Sequence, residues 1–450
     1  MGLSDYLKLK WHTRAFSERD IRDYQWRELN ALIRYAAQKS PYYASILPKE
    51  GLSSWDAYRA LPIMDKTTLM THFDGINTEG LKRDDIERYA VEKERNKDYL
   101  GYYQDRFVVG LSSGTSGNKG LFLTDKALTQ RLPFVFLARS GLRLRDLPFR
   151  ILFCLRVFSQ GFADINAPGV SLHYVATMTP IDEVKREIQE RRINVLMAPP
   201  SFVRLLLVHA SSFKGQLKTI VCYAEVLPKE DKVRFESQFG CRVIEIYQAS
   251  EGQIASACAH GTLHINEDLV VAELVDDLGH PVTQPGIPGQ LIITNLVNRV
   301  QPLIRYRMND WLVLKDGCPC GSHFRAIDHV IGRQDDVMVF TNHLGQLRPV
   351  FPDLMSRWII TFDARIREFK VIQAAIGELR VLIDTQPHAV EDRFLGQLKR
   401  DLLKHLAEYD LRAKISLELV TLTYPADNRK FKRFEVNTAK KETSDVGKRD

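Results

Sequence analysis

Between Phe107 and about Ile293, short apolar runs alternate with longer stretches whose apolar residues recur at helical spacing. Such alternation is typical of βαβ units, which build a mainly parallel sheet with helices packed against it. Strands are predicted over Phe149–Leu155, Asn194–Met197, Thr219–Cys222 and Arg242–Ile246, and helices over Ile181–Arg192, Ser201–Ser211 and Lys229–Gly240. The sequence therefore predicts an α/β fold for the central region.

The pattern differs on both sides of this region. The first hundred residues look helical, with helical spacing clearest over Ile21–Gln38. From Leu263, short strands between turn signals predict a smaller antiparallel β subdomain, and the chain ends in an α+β region. We predict a large N-terminal domain of residues 1–334, a small mobile C-terminal domain of residues 335–434 and a basic, disordered tail of residues 435–450.

Three predictions follow from composition. The formal net charge is +7, but eight Lys/Arg against four Asp/Glu lie from Asn428 onward, so a solvated tail is favoured over a nucleic-acid contact. No apolar run approaches the roughly 18 residues that span a bilayer, and the N-terminus lacks the pattern of a secretion signal. We expect a cytoplasmic protein without nucleic-acid or membrane partners, in which the six cysteines form no disulfide framework.

The segment Ser112-Ser-Gly-Thr-Ser-Gly117 follows a predicted strand, Phe107–Leu111. Its glycines permit a tight turn with inward N–H groups, and its hydroxyls can donate to phosphate oxygens. The spacing Gly-x-x-x-x-Gly-Lys-Ser/Thr of a Walker loop is absent. A triphosphate site and a Ser/Gly-rich surface loop both remain open on this segment alone.

Three further polar segments could carry chemistry. Tyr247–Glu251 would lie at the carboxyl end of a strand, where ligands bind in open α/β sheets. In Ile246-Tyr-Gln-Ala-Ser-Glu-Gly252, Tyr247 could stack on adenine and Glu251 could hold Mg²⁺. Asp310, at the end of an apolar run, could accept hydrogen bonds from ribose hydroxyls, and Gly332–Asp336 could be an interdomain hinge. The alternatives are a tyrosine that covers the core, a surface salt bridge and a polar loop.

In their order and spacing, these segments resemble the adenylate-forming superfamily of acyl-CoA ligases, adenylation domains and luciferases. The resemblance is greatest to the phenylacetate–CoA ligase branch and extends from about Tyr35 to Phe434. Other matching segments are Ser40–Tyr43, Leu61–Lys66, Ala198–Ser201, Ala224-Glu225, Gly286–Gly289 and Arg305–Asp310. The chain departs from the family pattern at Asn118-Lys119, Gln248, Asn309 and Arg429.

The resemblance implies ATP and Mg²⁺ as ligands and assigns roles by position. The β- and γ-phosphates would lie on Ser112, Ser113, Gly114, Thr115, Ser116 and Gly117, and the adenine between Ala224, Glu225 and Tyr247, with Gln248 and Ser250 beside it. Glu251 would bind Mg²⁺, Asp310 the ribose and Arg333 the ribose–phosphate region, with Asp335 as the hinge. Lys430 matches the catalytic lysine, and Lys432 is the alternative.

A separate cysteine pattern predicts a metal site. Cys258 and His264 precede Cys318-Pro-Cys320-Gly321, and together they offer four ligands for a closed, structural Zn²⁺ site. Some members of the resembled branch hold a zinc ion in this way. His260 and His323 are rival ligands, and free thiols in a turn are the alternative.

The implied activity is ATP-dependent conversion of a carboxylic acid to its acyl-AMP, followed by acyl transfer to coenzyme A. The aromatic residues Phe158, Phe162 and Tyr223 near the expected acyl pocket suggest an aromatic acid, although they could equally be core. The alternative interpretations are an adenylyltransferase acting on a coenzyme hydroxyl, an amide ligase and a non-enzymatic scaffold. A homodimer is left open.

Overall fold

The computed structural model describes residues 3–96, 100–111, 120–155, 169–176, 179–333, 336–350, 352–363, 365–385, 393–422 and 432–437. The chain's internal contacts group into two units. The first comprises Met1–Leu227 and Phe235–Val330, and the second comprises Pro228–Arg234 and Ile331–Asp450. The change of unit after Val330 lies close to the predicted domain boundary at residue 334, which stays a prediction, as does the mobility of the second domain.

The N-terminal region is helical, as its sequence predicts. Ser17 begins the longest of these helices with a capping box, because its hydroxyl accepts from the Asp20 N–H and its own N–H donates to the Asp20 carboxylate. The helices are α1 Leu3–Ala15, α2 Glu18–Lys39, α3 Pro41–Ala44, α4 Trp55–Arg59, α5 Lys66–Thr71, α6 Phe73–Ile76 and α7 Arg83–Asn96.

The central region contains the predicted βαβ units. The predicted helix Ser201–Ser211 is instead a short α-helix followed by a 3₁₀ helix, Leu206–Phe213. The elements are β1 Phe107–Leu111, β2 Leu121–Asp125, α8 Lys126–Thr129, α9 Leu132–Arg139, a 3₁₀ helix Leu144–Asp146, β3 Phe149–Leu155, β4 Val170–Ala176, α10 Ile181–Glu190, β5 Val195–Ala198, α11 Pro200–Leu205, β6 Thr219–Cys222, α12 Lys229–Phe239 and β7 Arg242–Ala249.

An antiparallel region follows. Its strands are β8 Gly252–Ala257, β9 Leu263–Ile265, β10 Val270–Val275, β11 Pro288–Asn295, β12 Tyr306–Lys315 and β13 Ala326–Arg333. The helix α2 packs its apolar face, with Leu29, Leu32 and Ile33 fully buried, into the same core as these strands.

The predicted β subdomain is not separate from the parallel sheet. One eleven-stranded sheet has the order β10-β11-β12-β13-β9-β8-β7-β6-β5-β3-β4. The strand β7 joins its two parts, since Arg242–Glu245 pair in parallel with β6 and Ile246–Ala249 pair antiparallel with β8. The sequence prediction of a smaller β unit was therefore wrong about the boundary, because one long strand offers a pairing edge to both parts.

The second unit has a core of its own. Its elements are β14 Met338–Asn342, β15 Leu347–Val350, α13 Pro352–Phe362, β16 Ile366–Ala375, β17 Glu378–Thr385, α14 Phe394–Glu408, β18 Leu411–Arg412, β19 Lys414–Leu419 and β20 Phe434–Val436. The strands form two small sheets, β15-β14-β18 and β19-β17-β16-β20. Strand β20 extends into the segment predicted as a disordered tail; Phe434 is buried, and the strand pairs with β16.

None of the helices in the described part of the chain combines the length and the apolar character needed to cross a membrane.

Candidate active site

The hairpin β1–β2 carries the predicted phosphate loop between its strands. Leu111 pairs with Leu121, so residues 112–120 connect the two strands. Of the predicted phosphate ligands, Ser112, Ser113, Gly114, Thr115, Ser116 and Gly117 all lie outside the described residues. The hairpin is held from one side by Gln301, whose amide accepts from Leu123 N at 3.0 Å and donates to Leu121 O at 3.2 Å.

A second amide supports the same hairpin, because Asn298 Nδ2 donates to Leu123 O at 2.8 Å. These two buried side chains satisfy backbone groups of β2 that no further strand covers in the described part of the chain. Neither residue was predicted from the sequence. Polar amides in the otherwise apolar surroundings of Leu296–Ile304 were the available signal.

The turn between β7 and β8 lies beside this hairpin. Ala249 pairs with Gly252, so Ser250 and Glu251 form a two-residue turn. A Cβ atom added to Gly110, in β1, would lie 4.0 Å from the Ser250 hydroxyl oxygen. The predicted nucleotide residue Ser250 is therefore adjacent to the strand that enters the Ser112–Gly117 segment.

The backbone carbonyl of Glu251 accepts a hydrogen bond, and the charge of its side chain raises the pKa of a neighbouring tyrosine. Asn295 Nδ2 donates to Glu251 O at 2.8 Å, and a Cβ on Gly252 would approach that Nδ2 to 3.0 Å. Burial raises the pKa of Tyr306 well above its ordinary value, and the charges of Glu251 and Asp65 raise it further. Tyr306 therefore stays protonated beside a carboxylate. Asn295 is another residue that the sequence analysis did not identify.

Tyr247 and Asp310, predicted from separate segments, meet in the structure. The Tyr247 hydroxyl donates to Asp310 Oδ2 at 2.6 Å, a short hydrogen bond of the kind a carboxylate acceptor gives. Tyr247 is half-buried on β7 and Asp310 half-buried on β12. Gln248, by contrast, is exposed, where the register between β7 and β8 shifts.

Two hydrogen bonds between Glu225 and Ser201 connect the segments that follow β5 and β6. Glu225 Oε1 accepts from the Ser201 hydroxyl at 2.7 Å, and Oε2 accepts from Ser201 N at 3.0 Å. Ala224 lies in the left-handed region, with φ +66°. The Glu225 carboxylate is thus engaged by Ser201, a contact that the sequence analysis did not anticipate.

The remaining predicted nucleotide-site and catalytic residues belong to the second unit. Arg333 ends β13, but its side chain lies outside the described residues, as do Asp335 and Lys430. The segment that follows Lys430 is anchored firmly. Arg433 makes a two-point ion pair with Glu368, with nitrogen–oxygen distances of 2.8 and 3.2 Å, and its carbonyl accepts from Val371 N at 2.6 Å.

The four predicted zinc ligands form one cluster. Their ligand atoms all lie within 4.8 Å of one another, with Cys258 Sγ 3.7 Å from Cys318 Sγ and Cys320 Sγ 3.4 Å from His264 Nε2. Tetrahedral zinc with ordinary bond lengths would separate two sulfurs by about 3.8 Å, and a sulfur and a nitrogen by about 3.6 Å. His264 Nδ1 contacts the Phe324 carbonyl at 2.7 Å, which leaves Nε2 directed at the thiols.

The arrangement is that of an α/β protein with polar side chains gathered where the parallel strands of its sheet end, which is the usual ligand edge of such sheets. The chain belongs to the AMP-binding enzyme family, whose model matches residues 59–295. It is an adenylate-forming ligase.

Relatives agree with this assignment. The chain is 23% identical to a phenylacetate-coenzyme A ligase of Aromatoleum evansii, with 89% of each chain covered. It is 26% identical to a phenylacetate-coenzyme A ligase of Escherichia coli over 43% of this chain and 48% of that relative. These matches show distant homology to the phenylacetate–CoA ligases.

Solved structures share the fold. A 2-hydroxyisobutyryl-CoA ligase in complex with 2-HIB-AMP has a TM-score of 0.74 at 16% identity, covering 97% of this chain and 93% of that one. An anthranilate CoA ligase in complex with anthranoyl-AMP has a TM-score of 0.55 at 16% identity, over 72% and 66% of the two chains. The expected family and the mixed α/β architecture are therefore confirmed.

Proposed function

We propose that this ligase activates an aromatic carboxylic acid with ATP and passes the acyl group to coenzyme A. A carboxylate oxygen attacks the α-phosphorus, the bond from that phosphorus to the bridging oxygen breaks, and pyrophosphate leaves. The coenzyme A thiol then loses its proton and attacks the acyl carbon, and AMP leaves. The hydrogen bond from Tyr247 to Asp310 is the observation that carries the proposal, because it joins two predicted nucleotide contacts. Tyr247 lies within the family-matched region 59–295, and Asp310 lies beyond its end.

In this proposal, the nucleotide is held by residues of the first unit. The carboxylate of Asp310, oriented by the Tyr247 hydroxyl, accepts from ribose hydroxyls while the tyrosine ring stacks on adenine. Glu225 contributes its backbone, since its carboxylate is bonded to Ser201. Ser112–Gly117 receive the β- and γ-phosphates, and Glu251 receives Mg²⁺. Gln248, exposed at the bulge, contributes little beyond its backbone.

Two cationic residues complete the proposed chemistry. Arg333 contacts the ribose–phosphate region, and Lys430 neutralises the negative charge that gathers where the carboxylate meets the α-phosphate. Both roles come from position in the family pattern. Lys432 is the alternative to Lys430.

The aromatic acid is supported by an aromatic wall at the ends of β3 and β6. The rings of Phe153 and Tyr223 lie 5.1 Å apart, and the Tyr223 hydroxyl donates to the Cys154 carbonyl. That bond fixes the tyrosine ring and satisfies its polar end, and Phe153 is buried beside it. The names of the relatives include ligases of both aromatic and aliphatic acids.

The test is ATP–pyrophosphate exchange with a panel of aryl and alkyl acids, followed by product analysis with and without coenzyme A. We expect exchange with an aryl acid and an acyl-CoA product only when coenzyme A is present. AMP attached to an acceptor hydroxyl would instead indicate an adenylyltransferase, and an amide would indicate an amide ligase. Exchange with alkyl acids alone would refute the aromatic assignment.

We also propose that Cys258, His264, Cys318 and Cys320 hold a structural Zn²⁺. The donor set, the near-tetrahedral spacing and the His264–Phe324 contact fit that ion. Gly321 adopts φ +75° directly after the second thiol, and its N–H donates to the Cys318 carbonyl, so the backbone curls around the cluster. Four protein ligands leave no open position for substrate, so zinc would tie together the loops that carry them.

Metal analysis of purified protein tests this proposal. We expect about one equivalent of zinc, loss of zinc from Cys318→Ser and His264→Ala, and a lower unfolding temperature after chelation. Cys241→Ala is the matched control, because Cys241 lies outside the cluster. His260→Ala and His323→Ala should retain zinc. Loss of the metal from either would reassign the histidine ligand, and wild-type protein without zinc would refute the site.

A further inference from the structure

A basic cleft opens at the edge of the sheet opposite to the proposed nucleotide site. Its volume is about 350 Å³, within the range of small-molecule sites. Its walls come from the 3₁₀ helix Leu144–Asp146, from Lys218 just before β6 and from Arg242 at the start of β7. These are the amino ends of parallel strands, whereas Tyr247 and Ser250 lie at or beyond a carboxyl end.

The charges that line the cleft do not balance. Four cations, Arg143, Arg145, Lys218 and Arg242, face two carboxylates, Asp146 and Glu236. Among the described residues, the exposed guanidinium groups of Arg143 and Arg145 make no salt bridge or side-chain hydrogen bond. Positive charge is therefore concentrated here, and none of the described carboxylates forms an ion pair with either of these two groups.

The other two cations, Lys218 and Arg242, donate hydrogen bonds to backbone carbonyls. Arg242 donates to the carbonyls of Gly141 and Ala259 at 3.1 Å each, and Lys218 donates to the carbonyl of Gly215 at 2.6 Å. Burial lowers the pKa of Arg242, and the charge of Arg143 lowers it further. An anion in the cleft would relieve this repulsion.

The segment that carries the two unpaired arginines is held in place. Asn194 Nδ2 donates to Asp146 O at 3.1 Å and to Pro148 O at 2.9 Å, while its Oδ1 accepts from Arg150 N at 2.9 Å. Asp146 N also donates to Arg143 O at 2.9 Å. The backbone under both guanidinium groups is thus fixed against β3 and β5, which lowers the entropy lost when a ligand binds.

We propose that this cleft binds a phosphate-bearing small molecule with two or more negative charges, held chiefly by Arg143 and Arg145. Guanidinium groups match phosphate oxygens because their N–H donors form a planar fork. The ligand is either free pyrophosphate or a phosphate carried on a nucleotide. The site is distinct from the proposed nucleotide site and does not depend on its assignment.

The test uses wild-type protein and an Arg143→Ala/Arg145→Ala variant, both saturated with Mg²⁺ and a non-hydrolysable ATP analogue so that the nucleotide site is filled. Calorimetric titrations with inorganic pyrophosphate and with adenosine 3′,5′-bisphosphate then measure the affinity and stoichiometry of anion binding to the cleft. We expect one equivalent of at least one anion to bind wild type at low salt, about tenfold or more weakly to the variant, and more weakly to both at high salt.

The matched control is Arg22→Ala/Arg186→Ala, which removes two exposed arginines elsewhere in the first unit and should bind like wild type. The anion that binds more tightly identifies the source of the phosphate. If neither anion binds wild type, or if both variants lose affinity equally, the proposal is overturned. Failure of the ATP analogue itself to bind would contradict the proposed function instead. The comparison of anion binding between wild type and the Arg143→Ala/Arg145→Ala variant would still test the cleft.

Discussion

At the scale of single residues, short polar contacts orient the side chains that the sequence singles out. Tyr247 is held by Asp310, Glu225 by Ser201, and the Glu251 backbone by Asn295. Each contact joins positions far apart in the chain, so the family residues depend on partners that their own motifs do not contain. This dependence predicts graded effects of substitution at Tyr247 and Asp310.

Asp310→Asn should lower kcat/KM for ATP about 100-fold, because hydrogen bonds of the ribose hydroxyls to a charged acceptor are lost. Tyr247→Phe keeps the ring and removes only the hydroxyl that orients Asp310, so we expect a loss of about tenfold or less. Asp316→Asn, an exposed carboxylate just beyond the same strand, is the control and should behave as wild type. Equal losses in Tyr247→Phe and Asp310→Asn would contradict the assigned roles. The measurement is steady-state pyrophosphate release.

At the scale of elements, the strand β20 illustrates how a three-residue strand becomes stable. It pairs in parallel with β16, and Phe434 is buried against Phe369, with ring centroids 5.9 Å apart. The flanking pair Arg433–Glu368 has side chains only 12% and 7% exposed, while Lys370–Glu435 is 23% and 34% exposed. Burial therefore predicts which of the two pairs stabilises the strand.

Glu368→Ala should destabilise the second unit by about 3 kcal/mol, because it leaves the Arg433 charge buried without its partner. Lys370→Ala breaks the more exposed pair on the same two strands and should cost less than about 1 kcal/mol. Hydrogen exchange of the β20 amides and thermal unfolding would measure both effects. Similar losses in the two variants would contradict the burial argument.

At the scale of the whole molecule, the described residues of each unit have buried apolar clusters of their own. A cluster of the first unit includes Leu312 of β12, and that of the second includes Phe369 and Leu402. Units with independent cores commonly unfold as separate cooperative transitions. The division of the contacts therefore predicts more than one transition on heating.

Calorimetry should resolve two transitions in the full chain. Glu368→Ala should lower only the transition of the second unit. Leu312→Ala, which opens a cavity at a fully buried position, should lower only that of the first, by an amount equivalent to about 2–5 kcal/mol. A single transition, or a shift of both transitions by either substitution, would show that the two units unfold together.

Much of the architecture could be predicted from local patterns. Phe107–Leu111, Phe149–Leu155 and Thr219–Cys222 are strands with the predicted bounds, because each is a short and mainly apolar run. Strand β8, Gly252–Ala257, was missed, since Gly252, Gln253 and Ser256 give it no alternation to detect. Its pairing with the second half of β7 depends on the arrangement of the whole sheet and cannot be predicted from a local sequence pattern.

The sequence alone determined the family and the order of the candidate site segments, because each of these is carried by side-chain chemistry at fixed spacing. It also identified all four members of the Cys/His cluster, because the ligands occur as two locally spaced pairs, Cys258 with His264 and Cys318 with Cys320. Only the tertiary structure decided that Tyr247 bonds Asp310, that Ser201 engages Glu225, and that Arg143 and Arg145 share a cleft. The physical reason is that each of these arrangements brings together segments that are distant in sequence, and the order of the strands that carry them is fixed by the burial of the whole molecule.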